Sequence, residues 1–319
     1  MLYSGSMRRA PRVWFGSLAL ATGLLAGPAD TRVFAQQPTF RSAVDLVQVR
    51  AVVRDRRGRF VQGLGTKDFE VIDGGNYRPL VDLQFDTAAP LRVALLFDVS
   101  GSMSVAAKLA EAASAARHLV TGLLPGDEAA VFAFDTALRE LQPFTSDHTL
   151  VAQAFEGLRA YGQTSIFDAV AETASRIAAD RSRRQAIVIV TDGIDTRSRM
   201  SAEEVSRIAS ATDVPIYVFA VVSPLDHAGM RDALEDEAVA EAETPLGRLA
   251  FWTGGSSHVT STPAHAFVAA TEILGELRQQ YLLAFEPGPP GWRPLTVRAT
   301  NRGYSVRARS SYRSGPRSS

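Results

Sequence analysis

Four continuous apolar runs, separated by amphipathic stretches, constrain the fold of this chain more than any other feature of its sequence. The runs are residues 93–97, 130–134, 186–190 and 216–222. A strand that is apolar along its whole length is buried on both faces, which is typical of parallel sheets covered by helices. The pattern therefore predicts an α/β fold with a mainly parallel central sheet flanked by helices.

The stretches between these runs have helical periodicity. Helices are predicted at 105–123, 149–158 and 166–179. Ser201 and Glu204 form a capping box that opens a further short helix. Residues 138–144 follow a tight turn and are expected to form an antiparallel strand at the edge of the sheet.

The segments on both sides of this region have strand and turn patterns. Residues 42–85 are rich in β-branched side chains, and Asp73-Gly74-Gly75 predicts a hairpin whose returning strand is 77–85. Near the other end, 281–285 is a predicted strand, and 295–299 and 304–308 are predicted to form a hairpin. An isolated hairpin is marginally stable in water, so the two segments are expected to pack on each other as one small β module.

Arginines mostly alternate with apolar residues in the second of these segments. This alternation is explained by exposed strand faces, without any ligand. The arginines concerned are Arg293, Arg298, Arg302, Arg307, Arg309 and Arg313.

The first residues resemble an export signal. Arg8, Arg9 and Arg12 precede an apolar stretch at 13–25, and Val33-Phe34-Ala35 offers small side chains at a cleavage site. The pattern predicts a signal peptide at 1–35; the alternative, a membrane anchor, is disfavoured because the apolar stretch is short. Sec and twin-arginine export both stay open.

Export and the lack of cysteine together favour a bacterial periplasmic or secreted location. With no cysteine in 319 residues, disulfides, thiolate zinc sites and a cysteine nucleophile are excluded. Lysine plus arginine equals aspartate plus glutamate at 34 each, so no nucleic-acid partner is indicated. No second hydrophobic span follows the leader, and we expect no stable membrane span after cleavage.

Five segments follow from these patterns. They are a signal peptide at 1–35, an N-terminal β module at 36–88, the α/β domain at 89–275, C-terminal β strands at 276–313 and a disordered tail at 314–319.

Oxygen-bearing side chains follow three of the predicted α/β elements. Asp98, Ser100 and Ser102 come directly after the first apolar run, Thr164 lies in the loop before a helix, and Asp192 follows the third run. Open α/β sheets bind ligands at the carboxyl ends of their strands, where these loops converge. All-oxygen ligation with few carboxylates suits Mg²⁺ or Mn²⁺.

Simpler roles compete for some of these side chains. Ser102 or Ser104 could cap the following helix, although capping requires neither Asp98 nor the distant loops. Asp195 is expected to be a loop residue, with a metal role as the less favoured reading. Asp168 is expected to interact with the dipole of its own helix.

Enzymatic readings each lack a required part. A haloacid-dehalogenase-type phosphatase needs a second aspartate where Ser100 stands. A serine hydrolase needs a nucleophile elbow, but no small residue lies two positions before Ser100. Glycine-rich phosphate loops are missing, and the histidines have no metal-ligand spacing.

The motif Asp98-Val-Ser-Gly-Ser102, the Thr164 loop and Thr191-Asp192-Gly193 resemble the von Willebrand factor type A (VWA) family, in the family's order. The resemblance covers roughly 91–275 and implies a Rossmann-like fold with a metal-ion-dependent adhesion site. It implies that Ser100, Ser102 and Thr164 bind the metal through hydroxyls, while Asp98 and Asp192 act largely through water. One coordination position would stay open for a carboxylate from a partner protein.

The flanking segments are similar to those of exported bacterial proteins called VWFA-related, best known from Acidobacteria. This similarity rests on 63–70, 280–285 and 303–309 and implies no defined activity.

These observations predict an exported, non-catalytic module that binds Mg²⁺ and, through it, an acidic residue of a protein partner. Two alternatives stay open: a structural assembly factor whose rim is ordered by the metal, and a metal-assisted hydrolase that would lack a general base. The acidic stretch within 223–244 is read either as a solvated helix face or as part of the rim that selects the partner.

Overall fold

The structure is a computed structural model that describes residues 46–87, 89–177, 183–222 and 244–315, all within one unit. The predicted signal peptide at 1–35 and the acidic stretch at 223–243 lie outside the described residues. The predicted tail is described only as far as residue 315.

Strands are numbered in chain order over the described residues. They are β1 (Val47–Asp55), β2 (Phe69–Asp73), β3 (Asn76–Arg78), β4 (Leu80–Asp86), β5 (Leu91–Asp98), β6 (Glu128–Phe134), β7 (Leu138–Thr145), β8 (Arg184–Thr191), β9 (Ile216–Val221), β10 (Ser257–Thr260), β11 (Gln280–Phe285), β12 (Gly291–Ala299), β13 (Tyr304–Ala308) and β14 (Ser311–Ser314).

Helices are numbered in the same way. They are α1 (Lys108–Thr121), α2 (His148–Gln153), α3 (Ile166–Ile177), α4 (Ala202–Thr212), α5 (Pro245–Thr253) and α6 (Pro263–Arg278). A 3₁₀ segment, Gly101–Ala107, precedes α1, so the α-helix begins later than predicted. The capping box of α4 is confirmed: Ser201 Oγ accepts from Glu204 N, and Glu204 accepts from Ser201 N. None of the helices in this part of the chain has the length and apolar character needed to cross a bilayer.

The central sheet has six strands in the order β10-β9-β8-β5-β6-β7. All neighbours are parallel except β7, which runs antiparallel to β6 at the edge. The predicted mainly parallel sheet and its antiparallel edge strand are thus confirmed for this sheet. Strand β10 and the helices on either side of it were not predicted.

Side chains that alternate along β5 separate the two hydrophobic layers. Leu95 and Phe97 pack in the cluster that includes α1 and α6 residues, whereas Ala94 and Leu96 pack in the cluster with α3, α4 and α5 residues. Because strand side chains alternate between faces, a continuous apolar run fills both layers.

Two antiparallel four-stranded sheets are formed by strands from both sides of the α/β region. Their orders are β13-β1-β11-β4 and β14-β12-β2-β3. One hydrophobic cluster joins them and includes Val49 and Phe285 of the first sheet and Val71 and Val297 of the second. Strands distant in sequence therefore share one core.

The predicted hairpin of 295–299 with 304–308 is wrong. Strand β12 pairs with β2 and β14, whereas β13 pairs with β1 in the other sheet. The turn at 300–303 carries the chain from one sheet to the other, and Thr300 N donates to Asp68 O, next to β2.

The predicted returning strand at 77–85 is also corrected. It divides into β3, which pairs with β2, and β4, which pairs with β11 in the other sheet. The division falls at Pro79, which has no N–H to donate to a continuous ladder.

Arginines on one face of β1 and β13 contact the α/β part of the molecule. Arg54 Nη2 lies 2.9 Å from Glu276 Oε1 of α6, and Arg307 also pairs with Glu276. Arg309 is buried and donates to the carbonyl oxygen of Ser210 at 2.7 Å. The expectation that the arginines of the second segment lie on exposed strand faces is therefore wrong for Arg307 and Arg309. It is also wrong for Arg293, which pairs with the buried Asp73 of β2.

Glu276 is the centre of this contact. Burial alone would raise the pKa of its carboxyl, but Arg307 and Arg54 outweigh burial, and the pKa lies below its ordinary value of 4.5. Removing either the carboxylate or a guanidinium group from such a contact leaves an uncompensated charge and is strongly destabilising.

We predict that Glu276→Ala lowers the free energy of unfolding by about 3 to 5 kcal/mol, because two partly buried arginines, Arg54 and Arg307, lose their buried counter-charge. Glu272→Ala is the matched control one turn earlier: its side chain is 45% exposed against 1% for Glu276, and we expect a loss below about 1 kcal/mol. Urea denaturation at pH 7 measures both. Equal losses in the two variants would contradict the prediction.

The same pair tests the effect of pH. Because the folded-state pKa of Glu276 lies below its unfolded value, its contribution is present above pH 4.5 and is lost as the pH falls through the folded pKa. Glu276→Ala should therefore lose less stability on acidification than the unmodified protein does.

Candidate functional site

The last residue of β5, Asp98, is completely buried at the carboxyl edge of the central sheet. One carboxylate oxygen accepts from Ser100 N at 2.8 Å, and the other accepts from Thr191 Oγ1 of β8 at 2.5 Å. Burial raises the pKa of Asp98, and these hydrogen bonds only partly oppose it. A cation nearby would favour the ionised form.

A chain of side-chain contacts leads from Ser100 to the end of β8. Ser100 Oγ and Ser102 Oγ are 3.1 Å apart, and Ser102 Oγ donates to Asp192 Oδ1 at 3.1 Å. Hydrogen bonds therefore link four of the five predicted site residues, which are Asp98, Ser100, Ser102 and Asp192.

Thr164 is placed by backbone hydrogen bonds. Gly101 N donates to Gly162 O at 3.0 Å, which joins its loop to the loop of the serines. Thr164 O accepts from Thr196 N at 3.0 Å, which joins the same loop to the residues after Asp192. Thr164 is buried at the junction of all three loops.

Glycine is favoured where the first two loops meet. A Cβ on Gly101 would lie 3.1 Å from the carbonyl oxygen of Gly162, closer than ordinary van der Waals contact. Gly162 itself has φ +84°, in the left-handed region that favours glycine.

Lys108, the first residue of α1, was missed by the sequence analysis. Its Nζ lies 3.0 Å from Asp192 Oδ2, and both side chains are largely buried. Its position in the sequence could have indicated a place near the site, because a helix that follows a parallel strand begins at the carboxyl edge of the sheet. Thr191, which bonds to Asp98, was part of the quoted motif but received no role.

Asp195 and Asp168 have structural roles in the same region. Asp195 Oδ2 accepts from Ile166 N at 2.7 Å and so satisfies a free N–H group at the start of α3. Asp168 accepts from Met200 N at 3.0 Å and pairs with Arg199. Both carboxylates hold the loop after β8 against α3.

The donor set of the site consists of two carboxylates and three hydroxyls. Across the described ranges, no group of three His, Cys, Asp or Glu side chains lies together as a candidate metal site. A site built mostly from hydroxyl oxygens is outside that pattern and fits a hard cation such as Mg²⁺, which keeps several waters.

A second polar cluster lies at the opposite edge of the sheet, just before β10. Ser256 Oγ is 2.9 Å from His258 Nε2, but His258 Nδ1 is 3.7 Å from Glu272 Oε2, beyond hydrogen-bond distance. Burial lowers the pKa of His258, and the Ser256 hydroxyl also faces Glu276 at 3.4 Å. A nucleophile, a base and an orienting carboxylate are therefore not aligned here as serine hydrolysis requires.

Residues 93–194 match the family model of the von Willebrand factor type A domain. No curated protein sequence matches the chain. Among solved structures, BatB from Bacteroides thetaiotaomicron has 16% identity and a TM-score of 0.47, over 59% of this chain and 100% of that one. A von Willebrand factor type A protein from Catenulispora acidiphila has 13% identity and a TM-score of 0.49, over 86% and 76%.

The vWF domain of the pilus tip protein Mfa5 from Porphyromonas gingivalis has 22% identity and a TM-score of 0.33, over 35% of this chain and 41% of that chain. The resemblance to the von Willebrand factor type A family is confirmed by the family model for residues 93–194, the segment that contains Asp98, Ser100, Ser102, Thr164 and Asp192.

Proposed function

We propose that this chain is an exported, non-catalytic protein that binds Mg²⁺, or Mn²⁺, and through the ion binds an acidic residue of a protein partner in adhesion or assembly. The ligands are Asp98, Ser100, Ser102, Thr164 and Asp192. The observation that carries the proposal is that Ser102 Oγ lies 3.1 Å from both Ser100 Oγ and Asp192 Oδ1, while backbone hydrogen bonds join the loop of Thr164 to both neighbouring loops. The periplasmic or secreted location is proposed from the leader at 1–35.

Formal charges explain why a carboxylate would bind only with the ion. Asp98 and Asp192 against Lys108 leave one negative charge, which repels an acidic residue. A divalent cation reverses the sign of the group. The buried setting strengthens both effects, because charges interact more strongly away from water.

The structural alternative, in which the ion mainly orders the rim, is less well supported. The loops are already joined by backbone hydrogen bonds such as Gly101 N to Gly162 O, and Asp195 fixes the third loop on α3. For the hydrolase alternative, two candidate general bases among the described residues are already engaged: Lys108 pairs with Asp192, and Asp195 accepts backbone N–H groups.

The metal site is tested by a pair of serines two residues apart. Ser102→Ala removes a proposed ligand and should weaken Mg²⁺ binding at least about tenfold, the loss of about 1.4 kcal/mol. Ser104→Ala is the control, because its hydroxyl donates to Gly101 O and is exposed. Isothermal titration calorimetry with MgCl₂ measures both.

Asp98→Ala and Thr164→Ala should weaken Mg²⁺ binding in the same titration while the circular dichroism of the sheet is retained. Unchanged Mg²⁺ affinity in Ser102→Ala, Asp98→Ala and Thr164→Ala would refute the assignment.

Lys108 gives a prediction of opposite sign. Lys108→Met removes a positive charge next to Asp192 and should tighten Mg²⁺ binding about tenfold, since the ion no longer competes with the ammonium group. In chelator the same variant should melt at a lower temperature, because the largely buried Asp192 loses its partner. Arg117→Met, an exposed site on the same helix, controls for the loss of net charge. An affinity that falls or stays constant in Lys108→Met would show that the ammonium group does not oppose the ion.

A further inference from the structure

Each of the three loops that carry the proposed ligands also exposes one large apolar side chain. Val105 is 59% exposed three residues after Ser102, Tyr161 is 56% exposed three residues before Thr164, and Ile194 is 56% exposed two residues after Asp192. Single exposed apolar residues are common on protein surfaces. Three of them, one from each loop at one edge of the sheet, form a set that we name the apolar rim.

The backbone under the apolar rim is held in place. Tyr161 N donates to Val99 O at 2.8 Å, next to Asp98. Its ring is oriented by Arg139, which donates to the hydroxyl at 2.8 Å and lies 5.5 Å from the ring centroid. Ile194 follows Gly193, whose N–H donates to Thr191 Oγ1 at 3.1 Å. Hydrogen bonds to Val99 and Thr191, which adjoin or contact Asp98, therefore position the backbone of the apolar rim.

Basic side chains lie among these apolar groups. Arg139 extends beside Tyr161, and Arg197 donates from its backbone to Thr164 O at 2.9 Å while its guanidinium contacts the uncharged amide of Gln163. Arg139 is paired with Asp135 and Lys108 with Asp192, so neither adds net positive charge, whereas the exposed guanidinium of Arg197 does. Positive charge at the edge of the site complements an acidic partner and steers its approach.

We propose that the apolar rim selects the partner: it binds a protein segment in which one aspartate or glutamate is flanked by aliphatic or aromatic side chains. This inference rests on the proposed function, because the carboxylate is taken to reach the metal. A single carboxylate on an ion gives little selectivity, whereas apolar contacts around it add affinity in proportion to the area that they bury. Val105, Tyr161 and Ile194 supply that area.

The test uses two synthetic peptides with blocked ends and one central aspartate. In one peptide the neighbours of the aspartate are leucine and phenylalanine, and in the other they are serine and glycine. Binding to the full chain is measured by calorimetry in MgCl₂ and in EDTA. We expect the apolar-flanked peptide to bind at least about tenfold more tightly in MgCl₂, and neither peptide to bind in EDTA.

A double variant, Val105→Ser with Ile194→Ser, should reduce binding of the apolar-flanked peptide at least about fivefold and leave the other peptide unaffected. Its Mg²⁺ affinity and melting temperature should stay unchanged, because both side chains are exposed. The matched control is Leu124→Ser: Leu124 is 52% exposed but lies between α1 and β6, at the opposite edge of the sheet.

The outcomes separate this inference from the function on which it rests. Equal binding of both peptides in MgCl₂ would overturn the inference that the apolar rim selects the partner. A preference for the apolar-flanked peptide that survives in the double variant would do the same, and both results would leave metal-dependent carboxylate binding intact. Failure of both peptides to bind in MgCl₂ overturns the carboxylate function and the rim together. Loss of the preference in Leu124→Ser as well would assign it to general surface hydrophobicity, which also overturns the inference.

Discussion

The buried carboxylate of Asp98 is the group on which the site depends. Its two oxygens accept from Ser100 N and Thr191 Oγ1, which ties the end of β5 to the end of β8. Hydrogen bonds to a charged acceptor are stronger than neutral ones, and a buried carboxylate without them would be costly. The serines and Asp192 are therefore presented from two strand ends held in one register, with Phe97 opposite Val190. Their spacing follows from the sheet and not from loop flexibility.

The loop of Thr164 reaches the same place by different means. The backbone contact of Gly101 with Gly162 and the hydrogen bonds that the first N–H groups of α3 donate to Asp195 hold Thr164 without using its hydroxyl. A site held by supporting contacts of this kind is organised before a ligand arrives. The exposed side chains of the rim share this support, so metal binding and partner selection would rest on the same few hydrogen bonds.

A charged contact of another kind joins the flanking sheets to the α/β part. Glu276 faces Arg54 of β1, and Asp213 faces Arg309, which directly follows β13. Buried ion pairs add little net stability compared with apolar packing, but they penalise every arrangement that leaves one partner unpaired. The contact therefore specifies how strands from both ends of the described chain lie against the helices.

The sequence by itself determined the order of strands and helices from β5 to β9 and the oxygens at their strand ends. Continuous apolar runs are a local signal of burial on both faces, and residues that follow parallel strands must share one edge. Only the tertiary structure decided that Lys108 meets Asp192, that β12 and β13 belong to different sheets, and that Arg309 is buried. Periodicity reveals which face of an element is covered. It does not reveal which distant residue covers it, and long charged side chains pair across 84 residues as readily as across four.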